Sequence, residues 1–341
     1  MVETTEVQAA VDRLADDLGQ PVLIEDERQK PMWWSAQRAV DRTRAKTILE
    51  RRVDPLAAAV VRRFRLAQAT APVHTPAIPE AGMWARWCMP VRHEDRLLGY
   101  LWVLDPDGSV TPPDLGRLVE CANLAAQAMS RTRRTLEEHR QRRDALLDRL
   151  LRGPDEAAVR DLARLERLPP DARVQVENPR RTGGWPLPGG MSVHTVSTRP
   201  RLATSGAALP LIDLREAVRR ATATQRAVAA GAHPNPATWD GLGAWRLVVE
   251  APDSLSIADL HPGAEILASR TRTDLTTTAR TLLDHGGDIA ATASTLHLHR
   301  TTVHYRLTRI QQLTGVDLRD GPARIDLQLA LWLQAYRRTD A

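Results

Sequence analysis

The segment from residue 299 to residue 309 concentrates side chains that form hydrogen bonds. Its sequence is His-Arg-Thr-Thr-Val-His-Tyr-Arg-Leu-Thr-Arg. Arginine carries a planar fork of N–H donors, whereas threonine, tyrosine and histidine can both donate and accept hydrogen bonds. Arginine forks also match phosphates and guanine edges in two-point contacts. The segment therefore indicates a nucleic-acid contact.

A helical wheel of this segment separates an apolar face from a polar one. At about 100° per residue, Val303, Leu307 and Ile310 fall on one narrow face, and Arg300 and Arg306 flank the opposite face. This layout fits a helix in a major groove with flanking arginines on phosphates. It also fits an amphipathic helix of an all-α bundle with a solvated basic face. The predicted DNA-binding residues are His299, Arg300, Thr301, Thr302, His304, Tyr305, Arg306, Thr308 and Arg309.

The residues around this segment predict two further helices and the turns between them. Apolar positions at helical spacing precede Gly286-Gly287, which ends the first helix. Asp288 is a typical N-cap for a second, short helix. The turn His297-Leu-His leads into the third helix, which Gly315 terminates. A helix-turn-helix is therefore predicted over residues 274–338.

This region resembles the C-terminal helix-turn-helix of the PucR/CdaR family of bacterial transcription factors. The match keeps the family's spacing of alanine, leucine, histidine–arginine and tyrosine–arginine–leucine–x–arginine–isoleucine. The matching residues are Ala293, Leu296, His299, Arg300, Thr302, Tyr305, Arg306, Leu307, Arg309 and Ile310. Two positions depart from the pattern: Thr301 replaces the usual asparagine, and His304 stands where arginine is common. The resemblance implies binding to double-stranded DNA, and the departures concern which sequence is bound.

The first 130 residues carry the pattern of a mixed α/β domain. Residues 21–26, 83–91 and 97–104 predict strands, and Asp114 opens a long helical pattern. The proline-led strand, polar turn and leucine–glycine strand at residues 89–104 resemble a GAF-type sensor domain. The resemblance implies a small-molecule effector.

Three tryptophans are the candidate effector-binding residues of this domain: Trp84, Trp87 and Trp102. Tryptophan can line a small-molecule pocket and supply one polar atom to it. It can equally fill a core or form a dimer contact. Strand alternation alone leaves open which of these rings face inward.

Residues 131–152 predict a charged linking helix with a thin apolar seam. The seam consists of Leu136, Leu146, Leu147 and Leu150. Such a helix commonly forms a contact between two copies of a chain. The alternative is a solvated helix packed on its own domain. We predict a homodimer joined mainly through residues 114–150.

The predicted fold class is α+β multidomain. It comprises a GAF-like α/β sensor domain at residues 1–130, the linking helix at 131–152, a small mixed α/β domain at 153–270 and an all-α helix-turn-helix domain at 271–341. The third part predicts strands at 174–176, 191–196 and 239–249 and a helix at 211–229. It resembles the degenerate cyclase-like module of the family, without the acidic Gly-Gly signature of an active cyclase.

The composition predicts a cytoplasmic protein without a membrane segment. The net charge is +5, and Lys30 and Lys46 are the only lysines among 47 basic residues. No apolar run approaches the ~20 residues that span a bilayer, and the N-terminus lacks signal-peptide regions. Cys88 and Cys121 are expected to be buried thiols. No metal or cofactor is predicted, since His297 and His299 lack a third ligand at a matching spacing.

The sequence thus favours a dimeric, effector-controlled transcriptional regulator and no enzymatic activity. No phosphate-binding loop, nucleophile elbow or zincin motif is present. A signalling enzyme with an active cyclase or phosphodiesterase module would need metal-binding carboxylates and a phosphate loop in residues 150–250. An adaptor protein would instead bind a protein partner through its C-terminal helices. This adaptor is the alternative that the sequence leaves open.

Overall fold

The computed structural model describes residues 2–36, 40–50, 55–169, 171–177, 183–196, 208–234, 237–269, 273–318 and 321–339. The chain divides into two units, Met1–Arg142 and Arg143–Ala341. No helix in the described ranges is long and apolar enough to cross a membrane.

The first unit is built on a five-stranded antiparallel sheet with helices on both faces. Its helices are α1 (Val2–Leu18), α2 (Arg42–Glu50), α3 (Pro55–Arg63) and α4 (Pro112–Arg152), the last of which ends in the second unit. Its strands are β1 (Val22–Asp26), β2 (Pro31–Trp34), β3 (Val73–Thr75), β4 (Arg86–His93) and β5 (Arg96–Leu104). The strand order is β2-β1-β5-β4-β3.

Each face of this sheet carries its own core, because successive side chains of a strand point to opposite faces. Ile24 and Leu101 are buried on one face with α1 and with Leu118 of α4. Leu23 and Trp102 are buried on the other face, on the side of α3. The strands predicted at residues 21–26, 83–91 and 97–104 correspond to β1, β4 and β5. The GAF-like assignment stays a prediction.

Gly99 explains the leucine–glycine sequence within β5. It lies opposite Asp26 of β1 and Val91 of β4. A Cβ atom at this position would lie 1.9 Å from the carbonyl oxygen of Glu25. The strand pairing of the sheet therefore leaves no room for a side chain here.

The second unit combines a four-stranded antiparallel sheet with a set of C-terminal helices. The strands are β6 (Arg173–Glu177), β7 (Trp185–Leu187), β8 (Met191–Val196) and β9 (Leu209–Pro210), in the order β7-β8-β6-β9. The helices are α5 (Glu156–Glu166), α6 (Leu214–Ala229), α7 (Trp245–Val249), α8 (Ile257–Leu260), α9 (Pro262–Ser269), α10 (Thr273–Asp284), α11 (Ile289–Thr295), α12 (Arg300–Thr314) and α13 (Gly321–Arg338).

The strand predicted at residues 239–249 is wrong, because this stretch contains a 3₁₀ turn and α7. A short apolar run fits either a strand or a buried helix, and tertiary packing decides between them. Here Trp245 and Val248, three residues apart, are buried, whereas Leu247 between them is 68% exposed. The ring of Trp245 stacks on that of Trp332 in α13, with centroids 4.7 Å apart. Burial of residues three apart, with the residue two after Trp245 exposed, is the spacing of a helix and not the alternation of a strand.

The boundary predicted at residue 270 does not separate two cores. Leu333 and Tyr336 of α13 are buried in one cluster with Ala227 of α6 and Trp245 of α7. The C-terminal helices therefore share part of their core with the region that precedes them.

The apolar seam predicted for the linking helix is largely used within the second unit. Leu147 and Leu150 are buried in a core with Leu162 of α5, and Leu146 is partly buried against the same core. Leu136 is 59% exposed. The helix itself is continuous through residues 131–152, as predicted.

Candidate nucleic-acid interface

Local sequence signals fix the start of α11. The carboxylate of Asp288 accepts hydrogen bonds from the backbone amides of Ala290 at 2.7 Å and Ala291 at 3.0 Å. These bonds stabilise the ionised form and lower the pKa of Asp288. The preceding turn places Gly286 at φ 64° and Gly287 at φ 93°, a region that glycine enters without a steric penalty. The predicted helix end and N-cap are confirmed.

The turn between α11 and α12 places His299 at the start of α12. His297 has a left-handed φ of 53°, and the amide of Leu298 donates to the carbonyl of Ala293 at 2.9 Å. His299 is the N-cap, and its Nδ1 accepts from the amide of Thr301. This contact requires an unprotonated Nδ1. In the neutral ring, Nε2 therefore carries the proton on an exposed side chain.

The apolar face of α12 packs into the helical core of the domain. Val303 and Ile310 are fully buried. Ile310 belongs to a cluster with Leu282 of α10 and Leu327 of α13, and Leu307 is partly buried against it. The face predicted by the helical wheel is therefore the buried face.

The opposite face of α12 is open to solvent. Tyr305 is 73% exposed, and the other members of this face are also exposed: Thr301, His304, Thr308 and Arg309. The helix contains three arginines and no carboxylate. The face thus combines hydrogen-bonding groups of the kind that contact base edges with the positive charge that favours contact with phosphates.

Hydrogen bonds within α12 limit what two of these side chains can offer to a ligand. The hydroxyl of Thr308 donates to the carbonyl of His304 at 3.2 Å, so its lone pairs and methyl group remain for other contacts. Arg309 donates from Nη1 to Oε1 of Gln312 at 3.0 Å. Gln312 is exposed and was not among the predicted residues. Its position seven residues after Tyr305, on the same helical face, is the signal that identifies it.

The two arginines predicted to flank this face differ in their exposure and in their contacts. Arg300, the first residue of α12, is exposed. Arg306 turns toward α10 instead, where Nη1 donates to the hydroxyl of Thr278 at 3.1 Å and Nη2 to the carboxylate of Asp274 at 3.2 Å. Thr302, the remaining predicted residue, is half-buried in the first turn. The structure thus brings together all nine predicted residues on α12 and at its N-cap, with Arg306 facing its own domain.

The three tryptophans predicted to form an effector pocket are not brought together. Trp87 and Trp102 lie on opposite faces of the sheet, because Trp102 pairs with Cys88, the neighbour of Trp87. The indole of Trp87 donates to Asp105 at 3.0 Å, and that of Trp102 donates to Glu25 at 3.0 Å. Trp84 is 37% exposed. Trp102 lines a cavity, and Trp84 and Trp87 are not among the residues around it.

Both cysteines are buried free thiols, as predicted. Within the ranges that the structure describes, no three histidine, cysteine or acidic side chains come close enough to hold a metal ion.

Comparison with known proteins identifies the C-terminal helices. Residues 275–333 match the family described as the PucR C-terminal helix-turn-helix domain. The resemblance seen in the sequence is therefore confirmed, and α10 to α12 form the helix-turn-helix of that domain.

Two individual proteins are similar to parts of the chain. An uncharacterized protein from the pkwA 5′ region of Thermomonospora curvata is 42% identical over 57 residues, 17% of this chain. The aligned part of the chain spans about a third, 32%, of the length of that relative. The crystal structure of a regulator of polyketide synthase expression from Bifidobacterium adolescentis has 19% identity and a TM-score of 0.27, and the alignment covers 59% of this chain and 94% of that one.

Proposed function

We propose, with the PucR-type helix-turn-helix as the premise, that this chain is a sequence-specific DNA-binding transcriptional regulator. One observation carries the proposal: α12 buries Val303 and Ile310 completely and exposes Tyr305 and Arg309. An amphipathic helix of this kind, positioned by two preceding helices, is the part of a helix-turn-helix that enters a major groove. The role is regulatory rather than catalytic.

The exposed side chains of α12 divide into base-reading and phosphate-binding groups in this proposal. Arg309 reads a guanine edge or a neighbouring acceptor, and Gln312 orients its guanidinium. Tyr305, His304 and Thr308 contact base edges along the same face. Thr308 presents its methyl group to a thymine methyl or its lone pairs to a donor, since its own proton is already engaged.

The first turn of α12 faces the phosphate backbone. Arg300 is exposed there and supplies a positive charge. The Nε2–H of the exposed His299 and the hydroxyl of Thr302 add neutral donors at a helix N-terminus, where anions are stabilised, whereas the hydroxyl of Thr301 donates to Nδ1 of His299 at 2.8 Å. Arg306 holds α12 in place through α10 and does not contact DNA.

The regulator acts as a homodimer under control of a small effector. A single recognition helix contacts few base pairs, whereas two copies related by a two-fold axis read half-sites about 34–36 Å apart. Leu136, exposed on the charged part of α4, is the apolar contact point that we assign to the dimer. The effector binds the first unit and changes DNA affinity by its differential affinity for two states of the dimer, about 1–3 kcal/mol in typical systems.

Selection from a randomised duplex library tests the DNA-binding role. Fluorescence anisotropy then compares the selected duplex with a scrambled one over a salt series. We expect tighter binding to the selected duplex by about 10³-fold or more and a linear fall of log affinity with log salt. A salt slope of zero on both duplexes would contradict the proposal and favour the adaptor that binds a protein partner.

A further inference from the structure

Four charged side chains are buried together in the first unit. They are Glu25 on β1, Asp41 just before α2, Arg44 on α2 and Arg86 on β4, and none is more than 6% exposed. Charged side chains are rarely buried to this extent unless each has a partner. The partners of each group therefore show whether all hydrogen bonds and charges within the cluster are satisfied.

Asp41 is the fully paired member of the cluster. Its carboxylate forms an ion pair with the guanidinium of Arg86. It also accepts hydrogen bonds from the backbone amides of Arg44 at 2.7 Å and Trp84 at 2.9 Å. Arg86 donates in addition to the carbonyl of Trp84 at 3.1 Å. The Asp41–Arg86 pair is thus neutral and satisfied.

Arg44 is the member of the cluster whose guanidinium is not fully hydrogen-bonded. Its terminal nitrogens Nη1 and Nη2 are buried and have no hydrogen-bond partner among the residues that the structure describes. Burial lowers the pKa of Arg44 to about 9, so the group still carries its charge at neutral pH. Glu25 accepts from the indole of Trp102 at 3.0 Å, and burial raises the pKa of its carboxyl to about 7. Glu25 therefore neutralises Arg44 only in part, and positive charge is in excess.

A cavity adjoins the unpartnered guanidinium. Arg44, Arg86 and Glu25 form its polar wall, and Leu23, Met83 and Trp102 form its apolar wall. The space open to the centre of a water-sized sphere is about 20 Å³, whereas one water molecule needs roughly 10–15 Å³. The cavity therefore has room for one or two water-sized groups, so only the smallest ligands fit.

We propose that this cavity binds a small monocarboxylate, whose two oxygens accept hydrogen bonds from Nη1 and Nη2 of Arg44. A planar guanidinium matches the two oxygens of a carboxylate. With Glu25 protonated the cluster carries one net positive charge, which a single negative charge balances and a dianion such as sulfate would exceed. The apolar wall leaves room for at most the methyl group of acetate. We identify this carboxylate with the small effector of the proposed function. Its regulatory effect rests on that proposed function, whereas its binding at Arg44 does not.

Titration of the full chain with formate and acetate, without DNA, tests this site. Calorimetry and the thermal unfolding midpoint are measured at constant ionic strength against sodium chloride. We expect saturable binding and a midpoint that rises with carboxylate concentration. A response to chloride equal to the response to acetate would overturn the carboxylate assignment, and the absence of any binding would overturn the site.

Single substitutions test whether the carboxylate binds at Arg44. Arg44→Met keeps an aliphatic stem at this position and removes the guanidinium whose terminal nitrogens are left without a partner among the described residues. It removes both proposed hydrogen bonds and should weaken acetate binding about a hundredfold or more, roughly tenfold for each charge-assisted bond. Thr47 of α2 also lines the cavity; Thr47→Leu fills this space, leaves Arg44 intact and should abolish binding. Arg62→Met, at an exposed position of α3, should bind acetate as the wild type does.

Unchanged acetate binding in both Arg44→Met and Thr47→Leu would overturn the proposal. Arg44→Lys adds an independent test, because it keeps the charge and removes the fork; it should bind acetate less tightly than the wild type. Circular dichroism establishes that each variant is folded. Since the titration contains no DNA, failure of the anion site is distinguishable from failure of the DNA-binding role.

Discussion

Arg306 of α12 and Asp274 of α10 form an ion pair that fastens the two helices together. Nη2 of Arg306 lies 3.2 Å from the Asp274 carboxylate, and Nη1 donates to the Thr278 hydroxyl at 3.1 Å. The Arg306 side chain is 21% exposed and that of Asp274 is 57% exposed, so solvent screens part of the attraction. The helical wheel predicts that Arg306 contacts phosphates, whereas its contacts in the structure indicate that it orients α12 against α10.

Arg306→Met is therefore expected to weaken binding to selected and random duplexes by similar factors, with an unchanged salt slope. The free energy of unfolding should fall by about 1 kcal/mol, because a partly exposed pair and one hydrogen bond are lost. Anisotropy titrations and denaturant unfolding measure the two effects. A double-mutant cycle with Asp274→Asn should show coupling of about 0.5–1 kcal/mol. A reduced salt slope without loss of stability would instead identify Arg306 as a phosphate contact.

Tyr305→Ala and Arg309→Ala are expected to weaken binding to the selected duplex more than binding to a random one. Both side chains lie on the exposed face of α12, where the loss of a base contact costs about 1–3 kcal/mol of discrimination. Competition titrations with both duplexes measure the ratio. Arg160→Ala on α5, whose arginine side chain is 62% exposed, serves as the control. An equal loss on both duplexes would rule out base reading by these residues.

Arg300→Ala is expected to weaken binding to all duplexes alike. The residue is exposed at the first position of α12, and a phosphate contact carries no sequence information. The slope of log affinity against log salt should become shallower by about one. A salt series on the selected and the random duplex measures this slope. If the slope stays the same while specificity falls, Arg300 reads a base.

The helix-turn-helix could be predicted because its signals are local. Asp288 caps α11 through amides two and three residues away, and Gly315 ends α12 with a left-handed φ of 76°. The buried face of α12 follows from helical periodicity alone. None of these features depends on a distant part of the chain.

The features that could not be predicted depend on pairing between distant segments. Whether Trp87 or Trp102 faces a given core is decided by the register of β4 against β5. The partner of Arg306 lies 32 residues earlier in the chain. The buried charge cluster likewise joins two strands, a helix and the residue before it, so no window of the sequence contains it. One local hint was present, since Glu25 follows three apolar residues within a strand.

Leu136→Asp is expected to shift the protein from dimer to monomer. Each buried leucine contributes about 1.5–3 kcal/mol, and a symmetric interface contains it twice, so the dimer Kd should rise roughly a hundredfold or more. Sedimentation at micromolar concentration measures the change. Leu49→Asp, at a position of α2 that is 83% exposed, should remain dimeric. A wild-type monomer, with or without DNA, would refute the homodimer, and a dimeric Leu136→Asp would place the interface elsewhere.

Glu25 is expected to make the stability of the fold depend on pH. Burial raises the pKa of its carboxyl from 4.5 to about 7, Asp26 adds to this rise, and Arg44, Trp102 and Arg86 oppose it. Because the folded state holds this proton more tightly than the unfolded chain, the stabilisation is fully present below pH 4.5 and is lost as the pH rises through 7.

Comparison of the wild type with Glu25→Gln isolates this effect, because glutamine does not titrate. The free energy of unfolding of the wild type, relative to the variant, should fall by roughly 3 kcal/mol between pH 4.5 and pH 7.5. Denaturant unfolding at half-unit intervals of pH measures the difference. Glu120→Gln, at an exposed position of α4, should show a difference that is nearly independent of pH. A wild type that gains stability relative to Glu25→Gln as the pH rises would mean that Glu25 is held ionised beside Arg44, and the cluster would then have no positive charge left for an anion.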